Sequence, residues 1–182
     1  EKIRKWPVGK MLGRSACTDE TKGMRVAHSS DFVRDGIHFW YVEKGAGLPF
    51  VLQHGLGGDR RQPLQLFAYR PDVRFVAMDC RGHGKTQPLG DPARLGFDAF
   101  ADDVAALADH LGLPSLVAGG ISMGAGVALN LALRYPQRVR GLVLIRPAWL
   151  AQPNPHNLDG MAAVGRLIAE HGVVAGKATF LR

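Results

Sequence analysis

The sequence predicts an α/β fold, a mostly parallel sheet with helices on both faces. Three observations predict it. Short continuous apolar runs, each the length of a buried strand, alternate with longer segments of helical period. Three of these runs, 50–53, 73–78 and 115–118, end in glycine-rich stretches. In such sheets function gathers at the carboxyl ends of the strands, which is where those stretches fall.

In chain order, Phe32–Arg34 and Ile37–Glu43 read as a hairpin broken at Asp35-Gly36. Gly45–Pro49 reads as a loop, and Phe50–Gln53 as a buried strand ending in His54-Gly55-Leu56-Gly57-Gly58. Pro63–Tyr69 suits a short helix. Val73–Met78 is a second buried strand, followed by Asp79-Cys80-Arg81-Gly82-His83-Gly84-Lys85-Thr86. Phe97, Phe100, Ala101, Val104, Ala108 and Leu111 recur at helical spacing. Asp98, Asp102, Asp103 and Asp109 lie off that stripe, and the early acids suit the helix dipole. Gly112 and Pro114 end this helix. A strand at Ser115–Ala118 leads into Gly119-Gly120-Ile121-Ser122-Met123-Gly124, and a helix over Ala125–Tyr135 leads out, stopped by Pro136. Val139–Ile145 is a further buried strand, and Met161–Glu170 a helix with Asp159 near its start and Gly172 after it.

Composition bounds the function. The 182 residues are 46% hydrophobic and 21% charged, as in a globular protein with a real core. No run of about 18 apolar residues is present, so no membrane span is expected. Of the net charge of +7, an excess of four lies in residues 1–26, so the fold itself is mildly basic. Basic residues do not cluster with groove-reading or aromatic elements, which argues against a nucleic-acid partner. Residues 1–30 read as a basic tail, 31–150 as the core and 151–182 as the start of a helical cap. Cys17 and Cys80 make neither a disulfide framework nor a metal site, which suits a cytoplasmic location. No spacing of His, Asp and Glu resembles a metal site, and no cofactor is expected.

A serine between two glycines, on a strand-to-helix turn, has the pattern of a nucleophile elbow. A turn that tight holds Ser122 in a strained backbone conformation and brings Gly120 and Gly124 too close for side chains. The free N–H groups of the following helix, Met123 first, then face whatever the hydroxyl attacks.

With the three glycine-rich stretches in order, residues Asp31 to Trp149 resemble the α/β-hydrolase family, serine-nucleophile branch. His54-Gly55-Leu56-Gly57-Gly58 resembles its oxyanion loop, 79–86 its D-x-R-G-x-G-x-S turn with Thr for Ser, and 120–124 its elbow. Tyr135–Val139 ahead of a Leu/Val-rich strand also resembles the family. The resemblance implies Ser122 as nucleophile, the backbone N–H groups of Leu56 and Met123 as oxyanion donors, and His54, Gly55, Gly120 and Gly124 as supports. It implies an esterase-like reaction through an acyl-enzyme on a small acyl substrate. Serine at the elbow argues against the aspartate-dependent dehalogenase and epoxide-hydrolase branches. Carbon–carbon bond hydrolysis, perhydrolase or haloperoxidase-like chemistry, and a non-catalytic module that retains the turn are the alternatives. Leu56, Met123 and Trp149 suggest an apolar acyl pocket.

The family order is serine, acid, histidine. After Ser122 the only acids are Asp159 and Glu170 and the only histidines His156 and His171, all beyond the last clear strand. Asp159 with His171 has the family's order. The family's acid and base would instead follow two further strands, so the chain reads as the first part of a member, truncated after the start of the cap, and is expected to be inactive on simple esters by itself. The strand 139–145 would then be a flat apolar edge that invites self-association.

Overall fold

A computed structural model describes residues 28–68, 70–147 and 159–180. Six strands form one sheet in the order β1-β2-β4-β3-β5-β6. β1 (His28–Arg34) and β2 (Ile37–Lys44) form the expected hairpin, turning at Asp35 and Gly36, both with positive φ. β2 runs antiparallel to β4 (Val73–Met78), while β3 (Leu48–Gln53), β5 (Leu116–Ile121) and β6 (Val139–Ile145) extend the sheet in parallel.

Two expected boundaries move because pairing overrides local propensity. Leu48 and Pro49, expected in a loop, join β3 opposite Val73 and Arg74. Residues 28–30, expected in the basic tail, open β1 opposite Tyr41, Val42 and Glu43. The rest of the tail, 1–27, lies outside the described residues, as do Cys17, Trp149 and His156.

Helices α2 (Phe97–His110) and α3 (Met123–Arg134) cover one face. Phe100, Ala101, Val104 and Ala108 of α2 and Val127, Ala128 and Leu131 of α3 pack there with Phe39, Val76 and Met78. The short α1 (Arg61–Leu66) serves the other face, where Leu64 and Phe67 pack on Leu52, Phe75 and Ala77. Beyond α1 that face keeps an apolar hollow of about 170 Å³ lined by Leu48, Phe50, Val73, Val117 and Val143. α4 (Asp159–Phe180) is longer than expected, though Gly172, the expected stop, interrupts it with a non-helical φ of 77°.

Asp103 lies off the apolar stripe of α2, yet it is buried. It accepts two bonds from Arg81, at 2.6 and 2.8 Å, and one from Arg34 at 3.0 Å. A buried carboxylate needs such partners. The pairing ties α2 to the turn after β4 and to β1.

Candidate active site

The parallel strands β3, β4 and β5 deliver three loops to one end of the sheet. β5 ends at Ile121, and α3 starts at Met123. Ser122 alone makes the turn, with φ 52° and ψ −109°, a region that costs a non-glycine residue about 1–3 kcal/mol. A Cβ on Gly120 would stand 1.9 Å from the carbonyl of Gly124, and one on Gly124 would stand 2.4 Å from the carbonyl oxygen of Gln53. Only glycine fits at either position. Ser122 is half-buried, and its main-chain N–H donates to the Ile145 carbonyl at 2.9 Å. Met123 carries one of the first N–H groups of α3, which have no intrahelical acceptor.

The loop after β3 runs alongside. A Cβ at Gly55 would lie 3.6 Å from the Ser122 Cβ. Gly55 N–H donates to the Gln62 side chain at 2.8 Å, and Gly58 N–H returns to the Gly55 carbonyl at 3.0 Å. His54 is fully buried. Its Nδ1–H donates to the Gly55 carbonyl at 2.8 Å, and its Nε2 accepts the Cys80 N–H at 3.0 Å. Burial holds its pKa below the ordinary histidine value. With both nitrogens engaged, His54 can orient the loop and cannot serve as a base.

Asp79 is the support that sequence reasoning missed. Its buried carboxylate accepts the Arg60 N–H at 2.6 Å and the Lys85 N–H at 2.8 Å, and it pairs with the Arg60 guanidinium. It thereby fastens the loop after β3 to the turn after β4. The signal was Gly84: with φ 53° its α-carbon lies against the carboxylate, where a Cβ would be 2.2 Å from Oδ2.

Leu56 and Met123 line a mostly apolar cavity of about 350 Å³ with His83, Leu89, Phe97 and Phe100. His83 donates its Nδ1–H to the Arg81 carbonyl at 2.8 Å, and its ring centroid is 4.9 Å from that of His54.

Asp159 and His171 are not brought together. Both lie on the uninterrupted first part of α4, twelve residues apart, or about 18 Å along the axis. His171 is half-exposed beside Glu170, 3.7 Å away. Among the described residues no His, Cys, Asp or Glu cluster could hold a metal ion, and no helix is long and apolar enough to cross a membrane.

A strand-elbow-helix unit at the carboxyl end of a parallel sheet, flanked by a histidine-anchored glycine loop, defines a class of hydrolase scaffold. The family model described as the alpha/beta hydrolase fold matches residues 49–166, more than half of the chain. The chain belongs to that family. It is 38% identical over 127 residues to the dihydrolipoyllysine-residue acetyltransferase component of the acetoin cleaving system of Pseudomonas putida, covering 68% of this chain and 34% of that protein. It is 30% identical over 144 residues to 2-hydroxymuconate semialdehyde hydrolase of Pseudomonas sp. (strain CF600), covering 77% and 50%. Among solved structures, a thermophilic esterase from Thermogutta terrifontis superposes with a TM-score of 0.62 at 30% identity, covering 81% of this chain and 55% of that one. The chain thus spans about a third to a half of these curated relatives.

Proposed function

We propose that the protein is a serine hydrolase of esters or related acyl bonds, with Ser122 as nucleophile. One observation carries the reading. Ser122 sits at a positive φ between two glycines that no larger residue can replace, at the carboxyl end of a buried strand. Strain of that kind persists only where surrounding structure imposes it. In the proposed reaction Ser122 Oγ bonds to the acyl carbon and gives up its proton to a base. The N–H groups of Leu56 and Met123 receive the oxyanion, and the alcohol departs with a proton. Water then cleaves the acyl-enzyme to the acid and frees the serine. The kinship with an esterase and with a hydrolase of another substrate supports the class of reaction rather than one ester.

The test is an active-site-directed fluorophosphonate, followed by peptide mass spectrometry. In the complete domain the label is expected on Ser122 and absent from Ser122→Ala at an unchanged melting temperature, with turnover reduced by several orders of magnitude. Turnover retained in that variant would overturn the assignment. A folded, full-length protein that takes no label would favour a binding module that keeps the turn. A second reading, hydrolysis of a bond other than an ester by the same serine, draws on the 2-hydroxymuconate semialdehyde hydrolase relative. Labelling of Ser122 without turnover on any ester would favour it.

A further inference from the structure

A second hollow, polar and of about 360 Å³, shares no lining residue with the apolar cavity. Asp59, Arg60 and Arg61 line it from the segment after β3, and Gly84 and Lys85 from the turn after β4. Three cations meet two carboxylates there, those of Asp59 and Asp79, so one positive charge is in excess. Arg61 donates its Nε–H to Asp59 at 2.9 Å. Arg60 is only 8% exposed and is fixed by Asp79 through its Nη1. Its Nε–H is buried with no acceptor among the described residues, and a charged donor left that way is costly. The Lys85 ammonium forms no ion pair among the described residues. It stands 5.0 Å from the centre of the Trp40 ring, and the Arg60 guanidinium stands 5.8 Å from it. The ring therefore gathers two like charges, which repel each other.

We propose that this hollow binds an oxyanion, the carboxylate or phosphoryl end of a small organic anion, with Lys85 and Arg60 as its cationic partners. The proposal is independent of Ser122. Ammonium and guanidinium groups only donate, and the oxygens of carboxylates and phosphates accept from both. One such anion meets the excess positive charge and lowers the repulsion between Lys85 and Arg60. Arg60 is already held by Asp79, so half of the site is preformed and little ordering is needed there. Lys85 is exposed, so the anion meets it from solvent. The volume is far larger than one water and has room for the charged group with part of the molecule that carries it. Bound there, the anion joins the two loops a second time, beside the link that Asp79 makes between the Arg60 and Lys85 N–H groups.

The experiment titrates the full chain with sodium phosphate and, separately, with sodium acetate, by calorimetry and by melting temperature. Sodium chloride holds the ionic strength constant, so that general screening is the same throughout. Saturable binding with a dissociation constant of about 1 mM is expected for at least one anion, with a rise in melting temperature. Lys85→Gln, at an exposed position, should weaken binding about tenfold and leave the melting temperature of the free protein unchanged. Arg140→Gln removes an exposed positive charge from β6 and should leave binding unchanged. Binding of phosphate alone supports the site as one for phosphoryl groups, and binding of acetate supports it as one for carboxylates. The proposal is overturned if the folded protein binds neither anion saturably up to about 50 mM. It is equally overturned if Lys85→Gln binds as wild type does, or if Arg140→Gln weakens binding as much as Lys85→Gln.

Discussion

Replacing Gly120 by alanine adds one methyl group to the tightest turn in the structure. That carbon would stand 1.9 Å from both the carbonyl carbon and the oxygen of Gly124, and 2.4 Å from the Ala125 nitrogen. Ordinary contact begins at 3.4 Å, so the turn must open by more than an ångström. Every atom in the way is main chain, so no side-chain rotation relieves the clash. Overpacking costs typically about 1–3 kcal/mol, and a clash with backbone alone belongs at the upper end, about 3 kcal/mol. For a domain of this size that lowers the melting temperature by about 6–12 °C. Gly141→Ala is the matched control. It adds the same methyl group in β6, where the nearest atom is 4.0 Å away. There alanine should be neutral or stabilising by up to about 1 kcal/mol, because glycine is the costlier residue in a strand. Calorimetric melting and urea unfolding of both variants measure the contrast. A Gly120→Ala protein that melts within about 2 °C of wild type would refute the tight elbow.

Three further outcomes are expected. His54 is buried with a lowered pKa, so the unfolded chain binds its proton more readily than the folded one. Its contribution is whole above the unfolded value near 6.5 and is lost as pH falls below it, at up to about 1.4 kcal/mol per pH unit. Urea midpoints against pH for wild type and His54→Asn should therefore differ in slope on the acid side, and equal slopes would refute the assignment. Asp103→Asn leaves the buried Arg81 guanidinium with the half-exposed Asp35 carboxylate, 3.3 Å away, as its remaining counter-charge and should cost about 3 kcal/mol by urea unfolding. A cost below about 1 kcal/mol would show that water reaches the pair. The edge formed by β6 exposes Leu142, Val143 and Leu144, and we expect the 182-residue chain to self-associate there. Sedimentation should show Val143→Lys shifted toward monomer, and a wild type that sediments as monomer would dispose of the idea.

The elements that could be read from the sequence are those whose signal is local. The bounds of Val73–Met78 and Val139–Ile145 match their strands residue for residue, because an apolar-rich run bounded by charge favours a strand, but β6, expected to be buried, lies at the sheet edge and exposes Leu142, Val143 and Leu144. The elbow was legible from its local Gly-x-Ser-x-Gly pattern: Gly120 is demanded by backbone contacts with Gly124 and Ala125, within five residues, although Gly124 is demanded by the distant carbonyls of Gln53 and His54. What was hidden depends on distant partners. Asp103 lies off the apolar stripe in sequence, and nothing local tells that Arg81 and Arg34 bury it. Asp79 looked like one letter of a turn, and nothing local tells that it holds Arg60, nineteen residues earlier in the chain. Pro49 looked like a loop residue because a proline cannot donate to a sheet, yet β3 tolerates it near its start. Asp159 and His171 had the right order in sequence, but order carries no distance, and one helix separates them.

The strained serine and the exposed sheet edge are physically one problem. A positive φ at Ser122 is paid for by its surroundings, and two of them are visible. Gly124 packs against the Gln53 and His54 carbonyls from one side, and the Ser122 N–H bonds to the Ile145 carbonyl from the other. The first anchor sits on β3, between β4 and β5 in the middle of the sheet. The second sits at the end of β6, the outermost strand, where the chain turns through Arg146 at φ 46°. Outer strands open locally at lower free energy than central ones, because fewer contacts must break. Whatever pairs with the edge of β6 that is unpaired among the described residues therefore also fixes the Ile145 carbonyl, and with it the backbone that presents the Ser122 hydroxyl.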